Sequence, residues 1–169
     1  GVRVPRAGLG DRHAMQRGFT LVELMVTLAI LALLATLTVP LAQLQAQRGR
    51  EQELRLALRE IRAAIDAYKR ASDEGRIRRG AVSTGYPPSL EILVEGVDDQ
   101  RDPQRRKMFF LRRVPRNPFH GDTGVDASVT WGKRSYASEA AEPAEGDDVY
   151  DVFVPTPLVG LNGVPLRTW

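Results

Sequence analysis

The sequence predicts an α+β protein in which one long N-terminal helix packs on a small antiparallel sheet. Three observations carry this. From Phe19 to Ala42 the chain is apolar, with Glu23 its one ionisable side chain. After it, Leu54, Leu58, Ile61, Ile65 and Tyr68 recur in steps of four and three, a single stripe at helical period. Later the pattern becomes two alternating segments, Ser128 to Tyr136 and Val149 to Val154, bounded by turn-forming residues. A helix followed by strands is the order of an α+β domain.

Residues 1–18, rich in Gly and Arg and with one Pro, have no periodicity or apolar face, and read as a leader. At ~1.5 Å per residue, a helix over Phe19–Ala42 reaches roughly 36 Å, against a bilayer core of about 30 Å, so the run reads as a membrane span. A carboxylate inside such a span costs on the order of 2.5–3.5 kcal/mol, which marks Glu23 as a functional candidate. Pro40 removes one backbone donor near the end of the run and frees the Thr36 carbonyl, with the Thr36 and Thr38 hydroxyls as local substitutes. The helix then becomes amphipathic, with Arg55, Arg59, Arg62, Asp66, Lys69 and Arg70 off the apolar stripe. Burial against the chain's own sheet explains the stripe better than a coiled-coil seam, because the stripe is short and a globular region follows. Gly75 is a natural stop.

Beyond it, Ser89 is placed to cap a short helix through Leu90, Leu93 and Val94 that ends at Gly96. Asp98 to Pro103 reads as a charged loop, and Lys107–Leu111 as a packed apolar segment rather than a strand. Val114 to Phe119 is proline-spaced and extended. In the first strand candidate Val129 and Trp131 share a side; in the second, Tyr150, Val152 and Val154 share a face. The loop from Ala137 to Asp148 is small and acidic. After Pro155 and Pro157, a turn at Asn162-Gly163 returns the chain as a short edge strand.

The 169 residues include no Cys and carry a formal charge of +3. Disulfides are excluded in a compartment that would permit them. Without residues 1–18 the chain has twenty basic and twenty acidic side chains, so its basicity belongs to the leader. The positive-inside rule then keeps the leader cytoplasmic. No nucleophile–base pair, phosphate-binding glycine loop or paired-carboxylate signature is present, which argues against an enzyme. His120 is a lone histidine without a second metal ligand nearby.

Gly18-Phe19-Thr20-Leu21-Val22-Glu23 resembles the processing site of the type IV pilin and pseudopilin superfamily. An ordinary signal peptide has an apolar region of about 7–15 residues with a small-x-small cleavage site behind it, and neither fits here. The resemblance implies that a prepilin peptidase cuts after Gly18 and that Phe19 becomes an N-methylated N-terminus. Met15 is an alternative start that shortens the leader to Met15–Gly18. Tyr86-Pro87-Pro88-Ser89-Leu90, Val114-Pro115-Arg116-Asn117-Pro118, Trp131–Tyr136, Tyr150–Phe153 and the segment Gly163–Trp169 are similar to the major pseudopilins of type II secretion. Many major type IV pilins close a C-terminal loop with a disulfide; this cysteine-free chain departs from them.

The resemblance implies a type IV pilin-like fold in three parts: a removed leader 1–18, a transmembrane and assembly helix 19–42, and a periplasmic domain 43–169 that includes the second half of the long helix. The chain would be a single-pass protein of the bacterial inner membrane. Its implied partners are the prepilin peptidase, identical subunits in a helical filament, other pseudopilins and the inner-membrane secretion platform. Within the filament, Glu23 would meet the Phe19 amine of a staggered neighbour. At ~4 Å and an effective dielectric near 20 that attraction is roughly 4 kcal/mol before desolvation. Pro40 marks where the helix loosens in filaments of related pilins. The family also holds Ca²⁺ in an acidic loop, for which Asp147, Asp148, Asp151 and Asn162 are the candidates. The alternative is a minor type IV pilin or a competence-type DNA-uptake pseudopilin, using the basic segment Arg101–Arg116 with Phe109 and Phe110. The neutral total of the processed chain argues against nucleic acid and for pairing of that segment with acidic residues 139–151 between subunits.

Overall fold

The computed structural model describes residues 18–169, without the side chains of residues 37–41. The expected leader thus lies outside the described residues except for Gly18. Helix α1 runs from Leu21 to Asp73. The chain divides into two compact units, Gly1–Ala42 and Gln43–Trp169.

In the first unit every described residue from Gly18 to Thr36 is exposed, Phe19 by 79% and Leu21 by 74%. Among the described residues no stretch of helix is long and apolar enough to cross a membrane. The span expected over Phe19–Ala42 includes residues 37–41, so part of it, with the Pro40 and Thr38 side chains, falls outside what is described. The Thr36 hydroxyl donates to the Leu33 main-chain oxygen at 2.7 Å.

In the second unit the helical stripe is the centre of the core. Leu54, Leu58, Ile61, Ile65 and Tyr68 are all buried, packed among Leu90, Leu93, Leu111, Trp131, Val152, Val154 and Leu166. Each large aliphatic side chain so buried contributes about 1.5–3 kcal/mol. The helix stops as its glycine predicts. Gly75 adopts φ +72°, its N–H donates to the Ser72 oxygen at 3.0 Å, and the Arg76 N–H donates to the Ala71 oxygen at 2.9 Å. That pair of bonds is the Schellman motif, which satisfies two orphan carbonyls.

The sheet is smaller than expected and split in two. Strands β1 (Val97–Asp98) and β2 (Lys107–Met108) form one antiparallel pair, and β3 (Gly132–Arg134) and β4 (Asp151–Phe153) another, with Lys133 opposite Val152. Lys107 and Met108 therefore do enter a ladder, contrary to expectation. The charged loop before them folds back, the Asp99 N–H donating to the Arg106 oxygen at 3.1 Å. The first half of the segment expected as a strand from Ser128 is instead a 3-10 turn over Ala127–Thr130. Asp126 causes the difference, because its carboxylate accepts from the Ser128 N–H at 3.1 Å and caps the turn. Val129 is consequently exposed while Trp131 is buried, so the two do not share a side.

Helix α2 is short, Glu91–Glu95, and Ser89 does not cap it; Leu90 holds the cap position without a side-chain bond. Hydrogen bonds from Ser128, from its own main chain and from Ser89 hold the Glu91 carboxyl below the ordinary glutamate value. The proline-spaced segment is fastened by the Trp131 indole, which donates to the Pro115 oxygen at 2.7 Å. Past β4 the turn at Asn162-Gly163 is present, with Gly163 at φ +77°. The expected edge strand is reduced to a single bridge between Val159 and Pro165, followed by a 3-10 turn over Leu166–Thr168.

Candidate processing and assembly site

Gly18, Phe19 and Thr20 precede α1 in non-helical, exposed backbone. Among the described residues, its chain neighbours aside, no atom lies within 4 Å of where a Gly18 Cβ would stand. Thr20 starts the helix. Its main-chain oxygen accepts from Leu24 N–H at 3.1 Å, and its hydroxyl oxygen accepts from Glu23 N–H at 3.1 Å. Thr20-Leu21-Val22-Glu23 is the spacing of a capping box, with an acid in the first turn where the helix dipole favours it. The threonine cap is legible in the sequence and adds a local role for this part of the motif. The Glu23 side chain is exposed and makes no hydrogen bond or ion pair among the described residues. Geometry therefore brings together an exposed Gly18–Phe19 peptide, a capped helix start and, four residues beyond Phe19, a carboxylate without a partner among the described residues.

The four residues considered for calcium are not brought together. Asp148 is buried; one oxygen accepts from the Tyr136 N–H at 2.8 Å and the other from the Thr84 hydroxyl. Asp151 accepts from Arg62 Nε at 2.7 Å and from its own neighbour's amide, Val152 N–H, at 2.8 Å; Arg134 stands 3.8 Å from its second oxygen. Asp147 is exposed, and the Asn162 side-chain oxygen is used within its own turn by the Val164 N–H at 3.1 Å. Among the described residues no three His, Cys, Asp or Glu side chains are grouped to hold a metal ion. Calcium asks for about 6–8 oxygens at about 2.3–2.6 Å, and carboxylates already paired with guanidinium and amide groups do not fit it.

The basic segment is partly committed as well. Arg106 bonds Asp102 at 2.6 Å, and Arg116 donates to the main-chain oxygens of Asp122, Thr123 and Val125. Sequence reasoning missed Arg62, which lies on the edge of the stripe and bonds to residues about ninety and more positions away. Its spacing of seven from Arg55, two helical turns, was the available signal.

An exposed Gly-Phe bond ahead of a capped helix, with that helix then forming the core of a small α+β domain, defines a pilin-like protein, and residues 13–39 match the prokaryotic N-terminal methylation motif. Over a longer stretch the similarity is more specific. The chain is 32% identical over 117 residues to type II secretion system core protein G of Pectobacterium carotovorum, covering 67% of this chain and 68% of that one. The same protein of Klebsiella pneumoniae is 32% identical over 113 residues, 63% of this chain and 71% of its own. That of Pseudomonas aeruginosa is 29% identical over 147 residues, 85% and 96% of the two chains. The chain belongs to the type II secretion system core protein G family, the major pseudopilins, which are structural proteins and not enzymes. No solved structure matches it significantly.

Proposed function

We propose that this chain is cut after Gly18, methylated on Phe19, and polymerised into a periplasmic pseudopilus that drives type II protein secretion. The family implies processing by prepilin peptidase, assembly into a pseudopilus and anchoring in the inner membrane. The observation that supports the finer reading is the bare start of α1: an exposed Gly18–Phe19 peptide, then a largely apolar, exposed run in which Glu23 is the one ionisable side chain. A helix that is apolar all round needs a bilayer or other helices around it. The new Phe19 amine is a cation, and Glu23 has no other partner among the described residues, so a neighbour's amine satisfies it and sets the stagger between subunits. The domain 43–169 lies on the periplasmic side and coats the filament, in contact with other pseudopilins and the secretion platform.

The DNA-uptake alternative relies on a free basic segment, and the engagement of Arg106 and Arg116 within the chain weighs against it. Processing is the decisive test. Gly18→Val, which places a branched side chain at the cleaved bond, should leave uncut precursor in the membrane and abolish secretion. Mass spectrometry of the wild-type chain should find methylated Phe19 at the N-terminus; a mature chain beginning elsewhere overturns the reading.

A further inference from the structure

Beyond β4, one bridge and a 3-10 turn, segment 151–169 has little regular structure, and it offers few groups that a cation could use. From Val152 to Trp169 there is not one Asp or Glu. Three side chains of α1 hold it instead. Glu51, Arg55 and Arg62 stand at i, i+4 and i+11, within about 40° of one another around the helix. The Glu51 carboxylate, 5% exposed, accepts from Leu161 N–H at 2.7 Å and is steadied by Gln47 at 3.2 Å. The Arg55 guanidinium lies over the Trp169 ring, 4.3 Å from its centroid. Arg62 spends its fork on three oxygens: Nε on Asp151 Oδ1 at 2.7 Å, Nη1 on the Trp169 main-chain oxygen at 2.8 Å, and Nη2 on that of Val152 at 3.2 Å.

One carboxylate oxygen and two main-chain oxygens are the kind of ligands a calcium ion gathers. Here a guanidinium gathers them, with the directed donors that a planar fork supplies. We propose that Glu51, Arg55 and Arg62 form a metal-independent clasp that fastens segment 151–169 to the helix, so that this unit folds without a divalent cation. Asp151, a calcium candidate by sequence, is a part of the clasp. The inference stands on contacts inside one unit and does not depend on the secretion role.

The unit 43–169 contains every buried apolar residue of the core, and thermal unfolding of that fragment reads the proposal directly. A ligand that binds only the native state must raise the melting temperature. The wild-type fragment should melt within about 1 °C of the same temperature in ~1 mM CaCl2 and in excess EGTA. Arg62→Met, which keeps the apolar stem, should melt lower by several degrees, expose segment 155–169 to proteolysis, and gain nothing from calcium; Arg62→Lys should fall between. A wild-type melting temperature that rises several degrees with calcium overturns the proposal, as does unchanged proteolysis in Arg62→Met. Should Arg62→Met not fold, Glu51→Ala serves. It should speed hydrogen exchange at the Leu161 amide by about tenfold or more, and unchanged exchange there counts equally against the clasp.

Discussion

The Asn117 side-chain amide donates to the Thr130 main-chain oxygen at 3.0 Å, while the Asn117 main-chain N–H donates to the Thr130 hydroxyl at 3.1 Å. Both residues are buried, at 2% and 0% exposure. The pair turns a stretch broken by Pro115 and Pro118, which has few main-chain donors of its own, into a fixed wall of the core. Asn117→Ala strips the partner from a buried carbonyl and should cost about 1–3 kcal/mol in denaturant unfolding of residues 43–169. A loss too small to measure would mean that Thr130 finds water instead.

Leu56 and Leu58 are two residues apart on α1, yet the first is 60% exposed and the second 3%. Leu58→Ala should destabilise the domain by ~2–5 kcal/mol through lost burial and the cavity left behind. Leu56→Ala should stay within about 0.5 kcal/mol. Similar losses at both sites would contradict the placement of the stripe.

Acid should loosen the loop between β1 and β2. The Arg76 guanidinium, 2.5 Å from Asp99, and then the Arg101 amide hold the Asp99 carboxyl below the ordinary aspartate value. A carboxyl lowered in the folded state contributes stability above its unfolded value of about 3.9 and loses it as pH falls toward the folded value. Asp99→Asn should therefore melt below the wild type at neutral pH, and the gap should close on titration below about pH 4. A gap that persists unchanged at pH 2–3 would assign the loss to packing, not charge.

Glu23→Gln removes a charge while keeping size, so cleavage should persist, because the scissile bond precedes Phe19. In the proposed filament, what disappears is the partner of the neighbouring amine. Breaking one side of a buried pair typically costs about 3–5 kcal/mol, a factor of hundreds or more in each subunit addition. Filaments from cells overproducing the variant should vanish while processed subunit accumulates in the membrane; Glu23→Asp should be intermediate. Normal filaments from fully processed Glu23→Gln would sink the charge-pair mechanism.

What the sequence made legible was whatever obeys a short-range rule. The stripe from Leu54 to Tyr68 has the helical period, Gly75 stops the helix at positive φ, and Gly163 marks its turn. Gly18 to Glu23 form a contiguous motif, exposed throughout. What escaped the reading had two causes, one local and one distant. At Ser128 and Val129 an alternating apolar pattern promised a strand, but Asp126, outside the pattern, captures the amides and tightens them into a turn. Asp151 was a calcium candidate in the sequence, and only the fold reveals Arg62 beside it, 89 positions earlier. Partners that far apart leave no spacing to read.

The buried stripe also has a mechanical consequence. Leu54, Leu58, Ile61, Ile65 and Tyr68 lie along a single helix that continues N-terminally to Leu21. Tension applied to that helix along its axis cannot peel the domain open one contact at a time. It must drag five side chains past their neighbours together, and with them the Arg62 fork that grips β4. Contacts loaded in parallel share the force, so the domain resists tension along the axis of its helix.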